Sequence, residues 1–287
     1  MKKAARKGVL GLMFFLGAAL AISQGLERKP LPTLTPNLNI MRSAHRGVTA
    51  LAPENTLPAI QKAMDLGYDY VEFDVCYTKD GVPVLLHDGT LFRTTNGLGP
   101  VSAYNLADLK KLDAGSWYKS EFKGAQIPTV EEALQLMQGK IKLYLDEKQP
   151  PRPELIRLLK QYNFFPDHIV VVHAGKNMPE FLKLEPAAPV MPLLMKASEV
   201  DRLLKEYPTA VAFDTNCGAL TPEMVLEAHR HGIMVFTDAL AGSSRKCMRR
   251  PIEYGSDLIQ IDNVQLFSSV LEELRKETVS SGPKSAP

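Results

Sequence analysis

Residues Thr56–Tyr77 read TLPAIQKAMDLGYDYVEFDVCY, and two hydrophobic periods meet inside them. The first half spaces its apolar residues at helical intervals, opens with Thr56 and Pro58, and stops at Gly67, the start and stop signals of a helix. From Tyr70 onward the period falls to two, with Val71, Phe73 and Val75 alternating with Glu72 and Asp74. A strand that follows a helix so directly is half of a βαβ unit.

The same rhythm extends along the chain. Short β-rich runs at Ile40–His45, Tyr70–Cys76, Ile141–Asp146, His168–His173, Val190–Met195, Ala210–Thr215, Ile233–Thr237 and Leu258–Ile261 make eight strand candidates. Helix-period segments such as TVEEALQLMQG, PELIRLLKQY and TPEMVLEAHRHG fall between them. Eight such units predict a closed α/β (β/α)8 TIM barrel in preference to a doubly wound open sheet. The rhythm breaks once, from Gly81 to Gln126, where a hairpin-like return, GVPVLLHDGT, leads into a loop-rich stretch. An insertion after the second strand falls at the carboxyl end of the barrel, where active sites are built from loops.

The chain ends suggest export. Lys2, Lys3, Arg6 and Lys7 precede the apolar run GVLGLMFFLGAALAI, and Ala19-Leu20-Ala21 supplies small residues for cleavage. Residues 1–23 are expected to be a signal peptide or an N-terminal membrane anchor, 24–39 a linker with Pro30, Pro32 and Pro36, 40–278 the barrel, and 279–287 a disordered tail. Such a protein is periplasmic or otherwise extracytoplasmic, touching a membrane only through its first segment if that is retained. The chain carries 34 basic and 32 acidic residues; without the four basic ones of the leader the balance is 30 to 32. That excludes nucleic-acid binding by a basic surface, so any phosphate recognition has to be local. Cys76, Cys217 and Cys247 are too few and too scattered for a disulfide framework, and are expected to be small buried hydrophobes.

On a strand, Glu72 and Asp74 share one face about 7 Å apart. Two carboxylates so close repel each other unless a cation lies between them, and an all-oxygen site suits Mg²⁺ or Ca²⁺. The strand at IKLYLDEK puts Asp146 and Lys148 on one face in the same way, so that Asp146 can complete the metal site and Lys148 can neutralise an anionic oxygen. His45 and His87 end apolar runs, and histidine is the residue type suited to passing a proton either way near neutral pH. Arg46 offers a planar fork of donors to phosphate.

These residues stand in an order that resembles the glycerophosphodiester phosphodiesterase family: His45-Arg46-Gly47, Glu54-Asn55-Thr56, Glu72-Phe73-Asp74 and His87-Asp88, with the inserted stretch after them. The resemblance implies a barrel that holds one divalent cation on Glu72, Asp74 and Asp146. It implies His45 and His87 as a general acid–base pair whose order the sequence leaves open, Lys148 and Arg46 on the phosphate, and Glu54 orienting the group. Family members usually carry Glu-x-Lys where this chain has Asp146 and Lys148. In the second half members often carry Trp-Thr-Val-Asn, whereas this chain reads Phe236-Thr237-Asp238-Ala239, which leaves substrate preference open. Asp214, His173 and Lys196 also end strands and could line the mouth. The activity implied is metal-dependent hydrolysis of small glycerophosphodiesters to glycerol 3-phosphate and an alcohol. Two alternatives share these residues: a phospholipase acting on intact lipids at a membrane, and a non-catalytic phosphate-binding module.

Overall fold

The computed structural model describes residues 35–172, 177–240 and 242–281. The expected leader, most of the linker and His173 lie outside the described residues. Among those described, no helix is long and apolar enough to cross a membrane.

Eight strands run parallel: β1 (Met41–Ala44), β2 (Tyr70–Tyr77), β4 (Lys142–Glu147), β5 (Ile169–Val172), β6 (Val190–Met191), β7 (Ala212–Asn216), β8 (Met234–Ala239) and β9 (Leu258–Ile261). They follow the order β6-β5-β4-β2-β1-β9-β8-β7. The two ends meet through single bridges, Val190 to Ala210 and Leu193 to Asp214, with the Asp214 N–H donating to the Pro192 carbonyl at 3.0 Å. The ring is thus a closed (β/α)8 barrel. β6 is shorter than the expected Val190–Met195 because Pro189 and Pro192 flank it and neither can donate to a ladder.

The period of two sorts the side chains. Tyr70, Tyr144, Met191, Ala212, Phe236 and Leu258 point into the barrel and pack together as its floor. Their strand neighbours Val71, Phe73, Leu143, Leu145 and Ile259 face the helices. Those helices are α1 (Leu57–Asp65), α3 (Val130–Met137), α4 (Pro153–Gln161), α5 (Met178–Leu184), α6 (Val200–Glu206), α7 (Pro222–Arg230), α8 (Arg245–Tyr254) and α9 (Val264–Ser281). α9 runs to Ser281, past the boundary at residue 278 that the sequence suggested, so the first tail residues are helical.

The insertion holds β3 (Pro83–Leu85), antiparallel to β2, and the short α2 (Leu106–Leu109). It has an apolar cluster of its own, in which Cys76 of β2 meets Val84, Leu91, Val101, Leu109 and Ile127. This cluster seats the insertion on the carboxyl end of β2.

One expectation is overturned: Cys217 and Cys247 form a disulfide, and Cys76 alone stays a buried thiol. The sequence hides the pair because 30 residues separate them, whereas the fold brings the end of β7 and the first turn of α8 to a Cα distance of 5.2 Å.

Candidate active site

The turn after β1 aims the first motif. Arg46 and Gly47 both adopt left-handed backbone angles, φ 52° and 80°. The turn directs the Arg46 N–H onto Glu72 Oε2 at 2.6 Å. A Cβ on Gly47 would lie 2.5 Å from Ala59 Cβ of α1, so only glycine fits where this turn crosses the helix. Asn55, also left-handed at φ 54°, holds Asp74 from two sides. Its Nδ2 donates to Asp74 Oδ2 at 2.7 Å, and its Oδ1 accepts from the Asp74 N–H at 3.1 Å. Thr56 then caps α1. The polar run before α1 is a clamp around the carboxylates of β2.

Glu72, Asp74 and Asp146 present ligand oxygens that all lie within 4.8 Å of one another. The β2–β4 register pairs Asp74 directly with Asp146, which is why two acids spaced along one strand meet a third on the next. Burial, then the charges of Asp74 and Asp146, push the Glu72 carboxyl well above its ordinary value. Three crowded hard-oxygen donors that repel one another fit a divalent cation. Lys148 reaches the same group, with Nζ 2.5 Å from Asp146 Oδ2 and 3.0 Å from Asp74 Oδ1. Burial works against the Lys148 ammonium, but these two carboxylates hold it above its usual range.

Each imidazole is held from behind. His45 Nδ1–H donates to Asp262 Oδ1 at 2.8 Å, just beyond the end of β9, and Thr49 Oγ1 donates to the same oxygen at 3.1 Å. His87 Nδ1–H donates to Asp88 Oδ1 at 2.7 Å. In both, that bond leaves Nε2 for other partners. Arg93 ties this corner together: Nε donates to Asp88 Oδ2 at 2.5 Å, and Nη1 and Nη2 donate to Glu54 at 2.7 and 2.8 Å. Glu54 also accepts from Arg46 Nη1 at 3.0 Å. Burial raises the Glu54 carboxyl, but the two arginines outweigh it and leave the net shift downward. The hydrogen bond from Arg93 brings Asp88 down to about 2, against some opposing burial.

His45, Arg46, Glu72, His87, Asp146 and Lys148 all line one cavity of about 290 Å³ at the carboxyl end of the barrel. Asp74 lies buried behind this wall, and Glu54 faces the adjoining opening above His45. The sequence-expected residues are thus brought together. Lys196 is exposed and does not line the cavity, whereas Asp214 does. Sequence reasoning missed Asp262 and Arg93. Asp262 follows the last strand as an acid at a barrel mouth, a signal that could have been used. Arg93 sits in the inserted loop with no periodicity to mark it.

The model of the glycerophosphoryl diester phosphodiesterase family matches residues 45–266. The chain belongs to this family. As a member it is a phosphoric diester hydrolase. It is similar to the glycerophosphodiester phosphodiesterase of Bacillus subtilis (strain 168), at 30% identity over 91% of this chain and 94% of that one. A Caldanaerobacter subterraneus subsp. tengcongensis glycerophosphodiester phosphodiesterase is 32% identical over 80% of this chain and 97% of its own. Among solved structures, the glycerophosphodiester phosphodiesterase of Agrobacterium tumefaciens str. C58 superposes with a TM-score of 0.72 at 27% identity, covering 80% of this chain and all of that one. A phosphodiesterase from Oleispira antarctica, solved in complex with the product sn-glycerol-3-phosphate, has a TM-score of 0.70 at 26% identity, covering 84% of this chain and 97% of its own.

The opposite wall of the cavity carries Asp214 on β7 and Asp238 on β8. Burial, then the charge of Asp146, brings the Asp214 carboxyl up to about 7, against a smaller downward pull from Tyr144. Asp238 is pushed well up by burial and then by Asp214.

Proposed function

We propose that this protein cleaves small glycerophosphodiesters to glycerol 3-phosphate and an alcohol, using one divalent cation, Mg²⁺ or Ca²⁺, held by Glu72, Asp74 and Asp146. The observation that carries this reading is the single cavity lined by both imidazoles, Lys148 and two of the three clustered acids. The product seen in the Oleispira relative supports the same substrate class.

A divalent cation held by Glu72, Asp74 and Asp146 would supply Lewis-acid stabilisation of the phosphate's developing charge. Lys148 and Arg46 add charge-assisted hydrogen bonds to the phosphate as negative charge builds on it. His45 takes the role of base: its Nδ1–H is committed to Asp262, so the Nε2 lone pair is available to take a proton of the attacking water as its oxygen bonds to phosphorus. His87 takes the role of acid and protonates the oxygen of the departing alcohol as its bond to phosphorus breaks. Asp88, kept ionised by Arg93, stabilises the imidazolium this requires. The exposures support this division: the His45 side chain is 14% exposed and that of His87 32%, and a more open acid suits a departing alcohol. Glu54 fixes Arg46 and Arg93 relative to each other.

Export fits the same reading. The leader-like residues 1–23 and the Cys217–Cys247 disulfide both suit an oxidising, extracytoplasmic compartment. A barrel there, tethered at most by its N-terminus, would process deacylated lipid headgroups.

The decisive assay measures glycerol 3-phosphate release from several glycerophosphodiesters before and after chelation, with Mg²⁺ or Ca²⁺ restored, beside His45→Ala and Glu72→Ala. Loss on chelation, recovery with one of the two ions, and collapse in both variants are expected. Full turnover in either variant would overturn the assigned roles.

A further inference from the structure

Beyond His87 and Asp88, the inserted stretch sends one more side chain to the site, Arg93. It stands in a loop whose ends pair as an antiparallel bridge, Thr90 to Pro100, with the Leu91 N–H donating to the Gly99 carbonyl at 3.0 Å. The residues around it fix that loop. Leu91 is buried in the insertion's apolar cluster, and Thr95 Oγ1 donates to the Leu91 carbonyl at 2.6 Å and accepts from the Gly97 N–H at 3.0 Å. Asn96 ties it to the next turn, its Oδ1 accepting from the Asp113 N–H at 2.9 Å. The Arg93 side chain reaches out of this frame to Asp88 and Glu54.

Each of those carboxylates has a second partner that touches the chemistry. Asp88 takes Arg93 Nε on one oxygen and His87 Nδ1–H on the other. Glu54 receives the end of the guanidinium as a two-pronged fork and also accepts from Arg46 Nη1. One rigid, planar group therefore fixes the carboxylate behind the acid relative to the carboxylate behind the phosphate-binding arginine. The Arg93 side chain is 37% exposed, and a lone ion pair so placed would contribute little. Here the partners are 30% and 11% exposed, and Glu54 is shared between two arginines, so the bonds form a network.

We infer that Arg93 is a positioning residue: it sets the His87 imidazole through Asp88 and the Arg46 guanidinium through Glu54, so that one side chain of the insertion governs both proton delivery to the departing alcohol and the grip on phosphate. The inference rests on the diesterase reading and extends it to a residue outside the barrel strands. Two separable losses are expected in its absence. A loosened Asp88 misplaces the acid, which matters only where the departing oxygen needs a proton; an alkyl alcohol does, whereas p-nitrophenolate leaves without one. A loosened Glu54 weakens Arg46 on the phosphate, which both kinds of ester share.

The test compares kcat and kcat/KM for glycerophosphocholine and for the p-nitrophenyl ester of glycerol 3-phosphate, with Mg²⁺ or Ca²⁺ supplied, in the unaltered protein, Arg93→Ala and Arg93→Lys. In Arg93→Ala, kcat/KM for both esters should fall by about tenfold, the range of a charge-assisted hydrogen bond. Beyond that shared loss, the choline ester alone should lose about a further ten- to hundredfold in kcat. Arg93→Lys keeps the charge but offers one ammonium to two carboxylates, so it should show the same pattern in smaller size, and it decides the matter if Arg93→Ala fails to fold. Equal losses for the two esters would make Arg93 a structural tie, and unchanged kinetics would make it a surface ion pair; either result overturns the inference, as does failure of both variants to fold. Cleavage of neither ester by the unaltered protein would instead overturn the diesterase reading itself.

Discussion

The wall formed by β1, β2 and β4 and the wall formed by β7 and β8 face one cavity but treat charge in opposite ways. On the first, each acid of the metal cluster meets a donor: Glu72 takes the Arg46 N–H, Asp74 is held by Asn55, Arg46 and Lys148, and Asp146 by Lys148. On the second, Asp214 and Asp238 keep orphaned oxygens. Beside its strand ladder, that side carries a covalent tie, the disulfide running from the end of β7 to α8. The Cys217 N–H also donates to the Asp238 carbonyl at 3.0 Å, and Arg250 Nη1 donates to the Cys217 carbonyl at 3.2 Å. The first wall has its charges paired before a substrate arrives, whereas burial on the second raises both carboxyls and favours their neutral forms.

The hardest blow to this contrast falls on Asp74. Asp74→Ala would strip Arg46, Asn55 and Lys148 of a shared buried partner, and is expected to lower unfolding free energy by about 3–5 kcal/mol. It would also cost on the order of 10³ in kcat/KM through loss of a metal-site oxygen. Denaturant melts and a metal titration check both. An intact melt would mean the first wall is less interdependent than its bonds suggest.

Next in size is the His45 pair. His45→Ala should lose about 10²- to 10⁴-fold in turnover. Asp262→Asn, which keeps the shape but weakens the hold on the ring, should lose about 10- to 100-fold. A pH–rate profile separates them: in Asp262→Asn the limb belonging to the base should move to lower pH, because the imidazolium loses an ionised neighbour. An unmoved limb would take His45 out of the base role.

Cys217→Ser with Cys247→Ser tests the second wall. Opening a loop closed across 30 residues costs about 3–4 kcal/mol in the chain-entropy account. The melting midpoint of the oxidised protein should fall by roughly 10 °C, and reductant should produce the same shift in the parent. If neither happens, the wall is held by packing.

The two walls were unequally legible in the sequence. Alternation along β2 and β4 already put Glu72 with Asp74, and Asp146 with Lys148, on single faces, because a period of two is local. The same rule located the eight strands and failed at β6, where prolines override hydrophobicity. Contacts that close over long distances were illegible. Arg93 reaches Glu54 across 39 residues and His45 reaches Asp262 across 217, and no spacing rule connects such pairs. The disulfide was missed for that reason too. Phe236-Thr237-Asp238-Ala239 was visible as a departure from the family pattern, but its meaning depended on Asp214 being opposite.

The smallest expected effect is the most direct measure of the second wall. A free aspartate ionises near pH 4, whereas Asp214 in the folded protein does so at about 7. Between those values the unfolded chain releases a proton that the folded chain keeps. Stability therefore falls as pH rises from about 4 to about 7, then levels off. Asn has nothing to titrate and keeps the shape of the side chain. Asp214→Asn should match the parent near pH 4 and exceed it by about 1–3 kcal/mol at pH 8, a gain smaller than the shift alone implies because Asp238 shares the burden. Denaturant unfolding at the two pH values measures this. A variant weaker than the parent at pH 8 would mean that the Asp214 carboxylate is already compensated in the folded protein, and the two walls would no longer differ in kind.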